Sequence, residues 1–315
     1  MPCGRPWTPD DVPDLTGRLA LVTGATSGLG AALAVQLARR GATLVLAARN
    51  EQRLSATIAR LAREVPGTDV RALTLDLADQ SSVHRAAGLA AAHGPLHLLV
   101  ANAGVMATPY VRTVDGFELQ MATNVLGHFA LTGLLLPQLV ASGDGRVVGV
   151  SSLAHRLARS APLGDPRVQR GRYHRWPVYA ATKLADLLLT FELDRRCGAA
   201  GLPVRALAAH PGFSSTALMA AGRPNRPDTQ ILDATFRALG QEASLGALPL
   251  LMAATADLPG GTYVGPGGPG EARGGPAIVG ASRLARDPEA ARRMWQVAED
   301  ATGVVYPWPD RTGAS

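Results

Sequence analysis

The sequence is short of lysine, cysteine and aromatic residues. Of its 31 basic residues only Lys183 is a lysine, and 4% of the 315 residues are aromatic. Scattered arginines with so few aromatic neighbours do not form the basic, stacking surface that nucleic acids require, so the formal charge of +6 does not predict a nucleic-acid partner. Two cysteines, Cys3 and Cys197, are too few for a disulfide scaffold and favour a reducing compartment.

Long apolar runs are missing as well. The N-terminus has no apolar signal-peptide core, and no apolar run reaches membrane-spanning length. We therefore expect a cytoplasmic protein with no membrane span, and the sequence shows no metal-binding cluster. The apolar content of 47% is enough for a large core. We predict a tail over residues 1–16 and a single domain over residues 17–315.

The first structural unit is a strand, a glycine-rich turn and a helix. Residues 19–23 are apolar without alternation, as in a strand that is buried on both faces, and helical spacing begins at residue 31. Glycines let a backbone approach a ligand closely, and the free amides at a helix start attract phosphate. A glycine-rich turn alone is a weak signal. The candidate residues of this turn are Gly24, Thr26, Ser27, Gly28, Leu29 and Gly30.

Strands then alternate with helices along the chain; among the helices are those predicted at residues 51–64, 113–140 and 287–302, and an irregular loop is predicted at 260–276. Further buried strands are predicted at residues 43–47, 70–75, 96–100, 146–150 and 204–209, with a short last one at 262–264. This alternation predicts an α/β Rossmann fold, with a doubly wound parallel sheet of about seven strands flanked by helices. Ligands of such sheets bind beyond the carboxyl ends of the strands.

Arg49 follows the second strand, where a dinucleotide fold faces the adenosine ribose. An acid there would accept from the 2′-hydroxyl of NAD, whereas an arginine pairs with the 2′-phosphate of NADP. The sequence therefore favours NADP(H), with NAD(H) possible. Two observations oppose this: a solvated arginine after a strand is common, and Ser27 stands where many NADP enzymes carry a basic residue before Gly28.

Tyr179 and Lys183 are four residues apart, which puts both side chains on one face of a helix. A phenol has a pKa of about 10, and one ammonium at about 4 Å, at an effective dielectric of about 20, supplies the roughly 4 kcal/mol that ionisation near neutral pH requires. The pair therefore suits acid/base chemistry. The alternative is that the lone lysine is a chance survivor on a solvated face.

Together these motifs resemble the short-chain dehydrogenase/reductase family, in the retinol-dehydrogenase and protochlorophyllide-reductase-like branch. The resemblance covers roughly residues 18–216. It consists of five motifs in the family's order: the turn at 23–30, Asp76-Leu77, Asn102-Ala103-Gly104, the Tyr179–Lys183 pair and His210-Pro211-Gly212. The branch is suggested by the arginine-rich insert at 155–177, which is predicted either as a flap at the substrate mouth or as a solvated excursion.

The resemblance implies the roles of individual residues. Tyr179 is the acid/base, Lys183 activates it and holds the nicotinamide ribose, and Ser152 donates to the substrate oxygen. Asn124 links the lysine to a water chain, and His210 is expected to be structural. The cofactor-binding residues implied are Gly24, Thr26, Ser27, Gly28, Leu29, Gly30, Arg49, Asp76, Leu77, Asn102, Ala103, Gly104, Tyr179, Lys183, Pro211, Gly212, Phe213 and Thr216.

The function implied is hydride transfer between NAD(P) and a lipophilic ketone, aldehyde or secondary alcohol. A predicted substrate lid at 213–231 carries apolar residues, among them Phe213, Leu218, Met219 and Ile231. One alternative on the same fold is a reductase of a carbon–carbon double bond. Another is a non-catalytic NAD(P)-binding regulator, although a regulator has no need of an acid/base. The family also implies a homodimer or homotetramer.

Overall fold

A computed structural model describes residues 5–168, 171–213 and 241–309 of the chain. The described residues form one sheet in the strand order β3-β2-β1-β4-β5-β6-β7-β8. All neighbouring strands are parallel except β7 and β8. The strands are β1 (Leu19–Thr23), β2 (Thr43–Ala48), β3 (Val70–Thr74), β4 (Leu98–Ala101), β5 (Gly145–Val150), β6 (Val204–Ala209), β7 (Tyr263–Pro266) and β8 (Pro276–Ile278).

Helices pack on both faces of this sheet. In the described ranges they are α1 (Gly28–Arg39), α2 (Glu51–Glu64), α3 (Gln80–Ala91), α4 (Leu119–Ala141), α5 (Arg175–Ala199), α6 (Ala243–Thr255) and α7 (Pro288–Thr302). Because both faces are covered, all five residues of β1 are buried. Leu21 belongs to the core on the side of α3, α4, α5 and α7, whereas Val22 belongs to the core under α1, α2 and α6.

The chain order reverses next to β1. That strand pairs with β2 on one side and with β4 on the other. In a doubly wound sheet this switch point opens a crevice beyond the carboxyl ends of the strands. The α/β fold predicted from the sequence is therefore present, and it places the binding cleft at the turns that follow β1 and β4.

The sheet has one strand more than the sequence predicted. β8 pairs antiparallel with β7 and begins at the last residue of the segment 260–276, for which an irregular loop was predicted. With three residues and a proline at its first position, β8 is too short to show alternation. The sheet is therefore mostly parallel, with an antiparallel edge.

Helix α4 begins at Leu119 rather than at Thr113 as predicted. The preceding residues make a turn in which Gly116 has a φ of 83°, and the backbones of Arg112 and Glu118 form an isolated antiparallel β-bridge. Inside the helix, residues Ala122–Leu126 form a π turn, in which Gly127 N–H donates to the carbonyl oxygen of Ala122. By length and composition alone α4 could cross a membrane, but 72% of its apolar window is buried inside the protein.

The predicted closing helix is confirmed in α7. The Asp287 side chain accepts from the backbone N–H groups of Glu289 and Ala290, with Pro288 at the first helical position. Trp295 of this helix packs at 4.9 Å from the Phe129 ring of α4.

The segment after α7 also covers α4. The Tyr306 hydroxyl donates to the Phe129 carbonyl at 2.8 Å, and the Tyr306 ring lies 2.5 Å from where a Cβ on Gly133 would be. This segment therefore covers part of the surface of α4. The homo-oligomer stays a prediction.

Candidate active site and dinucleotide cleft

A cavity of about 1390 Å³ opens at the carboxyl edge of the parallel strands. Most of the site residues predicted from the sequence lie in its wall. Gly30 and Asn124 lie behind the wall, while Thr216 and the lid residues 214–231 fall outside the described residues. The predicted residues in the wall are Gly24, Thr26, Ser27, Gly28, Leu29, Arg49, Asp76, Leu77, Asn102, Ala103, Gly104, Ser152, Tyr179, Lys183, Pro211, Gly212 and Phe213.

The glycine turn after β1 is packed against the turn after β4. A Cβ on Gly24 would lie 2.8 Å from Ala103 Cα, and a Cβ on Gly30 would lie 2.6 Å from Asn102 Nδ2. Gly24 also has a φ of 67°, which favours glycine. Within the described residues, the Ser27 side chain makes no cap hydrogen bond at the start of α1. The first amides of α1 therefore remain available to an anionic group such as a pyrophosphate.

Thr23 and Asn102 tie the same two turns together. Thr23 Oγ1 accepts from the backbone N–H groups of Asn102 and Ala103 at 3.0 Å, and Asn102 Nδ2 donates to the Thr23 carbonyl at 2.8 Å. His128, which the sequence reasoning missed, lies below with Nε2 at 2.9 Å from Thr23 Oγ1. Its Nδ1 faces the Asn124 carbonyl at 3.0 Å, so Nδ1 carries the proton and Nε2 accepts. Burial lowers the pKa of His128 to about 4, which keeps the ring neutral.

Two arginines flank the end of β2. Arg49 is 75% exposed, and its Nη1 lies 3.8 Å from Asp76 Oδ2, which is a weak surface pair. Arg53 also lines the cavity, although the sequence reasoning did not single it out. Its place is fixed by Asn50, whose side chain caps α2 and accepts from Arg53 N at 2.8 Å. The four-residue spacing from Arg49 was the signal that could have found it.

Tyr179 and Lys183 lie side by side on α5. Both are buried, at 5% and 6% exposure, and Lys183 Nζ is 5.9 Å from the centre of the Tyr179 ring. The ammonium donates to the Val150 carbonyl at 3.0 Å and to Asp186 Oδ2 at 2.8 Å. The sequence reasoning did not name Asp186 as a functional residue. The solvated-face alternative for Lys183 is wrong, because the side chain is buried beside the phenol.

The ionisation of this pair is shaped by burial. Burial raises the pKa of Asp186 to about 6 against the opposing pull of Lys183. Burial also acts to lower the pKa of Lys183, but the charges of Asp186 and Tyr179 raise it above its ordinary value overall. Near neutral pH the lysine is therefore an ammonium and the aspartate a carboxylate.

The two serines at the end of β5 have different surroundings. Ser151 is buried and donates from Oγ to the Lys183 carbonyl at 2.7 Å, which ties β5 to α5. Ser152 lines the cavity, and its Oγ accepts from Ala154 N at 3.2 Å at the start of a 3₁₀ turn. His155 Nδ1 donates to the Ser152 carbonyl at 2.6 Å. Both serines line the cavity, but the Ser151 hydroxyl is already donated to the Lys183 carbonyl, whereas among the described residues the Ser152 hydroxyl only accepts a hydrogen bond and can still donate to a ligand.

Asn124 supports the site from behind. Its Oδ1 accepts from Val105 N at 2.8 Å, and its Nδ2 donates to the Val105 carbonyl at 3.0 Å and to Thr182 Oγ1 at 3.1 Å. A Cβ on the neighbouring Gly104 would lie 3.2 Å from Asn124 Oδ1 and 3.9 Å from Lys183 Nζ. The side chain therefore holds the turn after β4 against the lysine, and its predicted link to a water chain stays a prediction.

The loop after β6 is held by a buried histidine and a glutamate. His210 Nδ1 accepts from Gly212 N at 3.2 Å, and its Nε2 donates to Glu271 at 3.1 Å. Burial lowers the pKa of His210 to about 4, which fits the structural role expected for it. Gly212 has a φ of 67°, and Phe213 N donates to the Ala272 carbonyl at 2.8 Å. This loop closes one side of the cavity.

The flap, residues 155–177, is fastened to the body of the protein at three points. Arg156 donates to Glu271 at 2.7 Å, and Arg167 donates to the Ala301 carbonyl at 2.8 Å. Tyr173 donates to Glu118 at 2.8 Å. The two ends of the segment border the cavity, which fits the flap alternative better than the solvated excursion. The flap residues in the wall are Arg156, Leu157, Ala158, Arg159, Ser160, Trp176 and Pro177.

The wall around Tyr179 is apolar. Met106, Ala107 and Tyr179 form a small hydrophobic cluster against which Ala154 and Trp176 pack. The Trp176 ring meets the Tyr179 ring edge-on, with 6.4 Å between the centres. The part of the cavity lined by Met106, Ala154 and Trp176 is called the apolar chamber below. Tyr179 lies at the boundary between this chamber and the dinucleotide cleft. A phenol there can exchange a proton with a lipophilic group that enters from the chamber.

Comparisons with known proteins agree with this arrangement. The family model for short chain dehydrogenases matches residues 18–163. Human retinol dehydrogenase 13 is 35% identical over 93% of this chain and 87% of its own length. Mouse polyprenol dehydrogenase is 38% identical over 94% of this chain and 87% of its own length. An uncharacterized oxidoreductase of Schizosaccharomyces pombe is 40% identical, but the match spans 67% of this chain and 65% of that protein.

Solved structures give the same result. An uncharacterized protein from Mycobacterium paratuberculosis has a TM-score of 0.78 and 42% identity, over 96% of this chain and all of that one. A short-chain dehydrogenase from Sphingobium yanoikuyae in complex with NADPH has a TM-score of 0.57 and 27% identity, over 75% of this chain and 83% of that one.

Proposed function

Because this chain belongs to the short-chain dehydrogenase/reductase family of NAD(P)-dependent oxidoreductases, we propose that Tyr179 is its acid/base in the interconversion of a lipophilic alcohol and its carbonyl compound. One observation carries the proposal. The buried Tyr179–Lys183 pair lies where the dinucleotide cleft meets an apolar chamber, at 5.9 Å from ammonium to ring centre.

The residues in the wall fit a bound dinucleotide. The amides at the start of α1 suit the pyrophosphate, and Gly24 and Gly30 let the turns after β1 and β4 pack closely together beside them. Lys183 and the loop that contains Pro211, Gly212 and Phe213 would hold the nicotinamide end. When bound, this cofactor supplies or accepts the hydride.

The protein's own residues handle the proton. In reduction, the Tyr179 hydroxyl donates its proton to the oxygen that becomes the alcohol; in oxidation, the phenolate takes that proton back. The Lys183 ammonium stabilises the phenolate by its charge. Ser152 Oγ, in the same wall, donates to the substrate oxygen as negative charge develops on it.

The cofactor is proposed to be NADP(H) in preference to NAD(H). Support comes from Arg49 and Arg53, two guanidinium groups in the wall beside the end of β2. Guanidinium groups bind phosphate oxygens in bidentate fashion, and no acid follows β2 directly to receive a ribose hydroxyl.

The substrate is proposed to be lipophilic. Support comes from the apolar chamber around Tyr179 and from two relatives that are named as dehydrogenases of retinol and of polyprenol. Leu119, Leu153 and Leu157 extend the apolar wall away from the phenol. An elongated apolar alcohol would bury its chain there and leave its hydroxyl end at Tyr179.

The experiment is a comparison of wild type with Tyr179→Phe. Both are assayed for NADPH and NADH oxidation with aliphatic, aromatic and polycyclic carbonyl compounds, and for the reverse reaction with long-chain primary and secondary alcohols. We expect turnover by the wild type and a loss of at least about 100-fold in the variant, since general acid/base groups contribute about that much or more.

Dinucleotide affinity serves as the control in that experiment. We expect the same affinity in the two proteins, because the ring stays in place when only the hydroxyl is removed. Equal turnover in wild type and variant would show that Tyr179 is not the acid/base. Dinucleotide binding without turnover on any carbonyl compound or alcohol would favour a regulator instead.

A further inference from the structure

Lys183 lies between two ionisable side chains on α5. Tyr179 precedes it by four residues and Asp186 follows it by three, so all three share one face of the helix. The ammonium lies 5.9 Å from the Tyr179 ring centre on one side and 2.8 Å from Asp186 Oδ2 on the other. The side chains of Lys183 and Asp186 are 7% and 10% exposed, so solvent screens this pair little.

The carboxylate also fixes the direction of the ammonium. Of the three N–H donors of Lys183, one is used by the Val150 carbonyl and one by Asp186. One donor is left for a ligand hydroxyl. The lysine thus has a single orientation before any dinucleotide arrives, which is the preorganisation that a catalytic group needs.

We propose that Asp186 is a positioning residue that fixes Lys183 and, through its negative charge, sets the pH at which Tyr179 gives up its proton; this rests on the acid/base role of Tyr179 proposed above. A lone ammonium beside a phenol favours the phenolate strongly. An ammonium paired with a buried carboxylate acts more like a dipole, and its pull on the phenolate is weaker. Asp186 therefore raises the pH at which Tyr179 loses its proton above the value expected with Lys183 alone.

Other ionisable groups around the pair do not replace Asp186. On α4, His128 is neutral because burial lowers its pKa to about 4. On β7, burial raises the pKa of Tyr263, and the charges of Glu271 and Asp186 raise it further against the effect of Arg156, so this phenol stays neutral. Asp186 is the carboxylate that acts directly on Lys183.

A small cavity next to Asp186 supports its ionised form. The cavity has a volume of about 50 Å³, and its polar wall consists of Asp186, His128, Thr132 and Thr190. β5 and α7 contribute only valine, glycine and tryptophan to this wall, among the described residues. The volume is enough for one water, which takes about 30 Å³ in the liquid. Asp186 Oδ2 is bonded to Lys183, and Oδ1 faces no hydrogen-bond donor among the described residues, so a water here would serve it.

The test compares Asp186→Asn with Glu192→Gln. The first variant removes the charge and keeps the shape of the side chain. The second makes the same change at another buried carboxylate of α5, which pairs with Arg195 and Arg196 instead. The measured quantity is the pH profile of kcat/KM for alcohol oxidation, whose ascending limb reports the ionisation of the base.

In Asp186→Asn we expect the ascending limb of the kcat/KM profile to move to lower pH by about one unit. Removing one negative charge a few ångströms beyond the ammonium, at an effective dielectric of about 20, should change the Tyr179 pKa by about that amount. The limb of Glu192→Gln should stay in place, and Asp186→Glu should restore the wild-type position in part. Asp186→Ala is the second neutral variant, to be measured if Asp186→Asn unfolds below the assay temperature.

A second readout does not depend on turnover. The ultraviolet absorbance of tyrosinate is titrated in each protein and in its Tyr179→Phe counterpart, and the difference belongs to Tyr179. If the wild type turns over no substrate, the proposed function fails while this titration still decides about Asp186. A midpoint that does not move in the folded neutral variants would overturn the proposal. So would a shift to higher pH, which would mean that Asp186 serves mainly to keep Lys183 charged.

Discussion

The two sides of the cleft are held together by different kinds of contact. On the cofactor side, the turns after β1 and β4 meet through close glycine–backbone contacts, with 2.8 Å between a Cβ built on Gly24 and Ala103 Cα, and through the short side chains of Thr23 and Asn102, which bond to backbone groups. On the substrate side, the flap is fastened by single long side chains, such as Arg156 to Glu271 and Tyr173 to Glu118. Backbone contacts leave no space for an added atom, whereas a wall fastened by separate side chains can move locally when one of them changes. The cofactor side is therefore fixed, and the substrate side can be adapted.

The largest expected effect is on the fixed side. Gly30→Ala places a methyl group against Asn102 and the Gly24 carbonyl, which costs about 1–3 kcal/mol and corresponds to a loss of roughly tenfold to a hundredfold in NADPH affinity. Gly88→Ala on α3 is the matched control, since a Cβ there has no neighbour within 4 Å. Fluorescence titration with NADPH measures both variants. Equal affinities would show that the two turns are not in the close contact described.

A smaller and more selective effect is expected at the edge of the same side. Arg49→Ala should weaken NADPH binding by about tenfold and leave NADH binding nearly unchanged, because a charge-assisted hydrogen bond to phosphate is worth about 1.5–3 kcal/mol. At 75% exposure its removal should leave the melting temperature unchanged. Calorimetric titration with each cofactor measures the difference. Equal losses for the two cofactors would remove Arg49 from the proposed phosphate site.

The smallest effect is expected on the adaptable side. Tyr173→Phe removes the hydrogen bond to Glu118, which is worth about 1 kcal/mol, and should raise KM for a bulky substrate by roughly fivefold without changing NADPH affinity. Tyr110→Phe is the control: its ring lies 5.3 Å from that of Tyr173, and its hydroxyl makes no hydrogen bond within the described ranges. Steady-state kinetics with a polycyclic substrate tests it. A fall in cofactor affinity as large as the rise in KM would mean that the two sides are coupled.

The sequence was most informative where local chemistry decides the structure. The bounds of α2 and β6 were predicted correctly, because Asn50 caps the first and an apolar run interrupted only by Arg205 defines the second. The start of α4 was placed six residues too early. Thr113 resembles a helix cap, but its hydroxyl accepts from Phe117 N within the turn around Gly116, and Glu118 caps the helix instead.

The site residues that were missed are those whose role depends on tertiary contacts. Tyr179 and Lys183 belong to a spaced motif, so the pattern alone singled them out. Asp186, Arg53 and His128 follow a recognised residue by three or four positions, yet polar residues at that spacing occur on every solvated helix face. Their importance depends on the burial of Asp186 and His128, on the contact of His128 with Thr23 of β1 and on the place of Arg53 in the cavity wall, which are tertiary facts. Thr216 and the lid at 214–231 lie outside the described residues and stay predictions.

The π turn in α4 makes the number of residues in one short segment critical. Residues Ala122–Leu126 hold one residue more than a regular helical turn would, and this surplus lets Asn124 reach Val105 while His128 reaches Thr23. Each residue of an α-helix advances by about 100° around the axis. Deleting one codon here would rotate the preceding part of the helix by that angle against the following part and would separate the two contacts. Outside Asn124, this segment should therefore tolerate a substitution better than the loss of a residue.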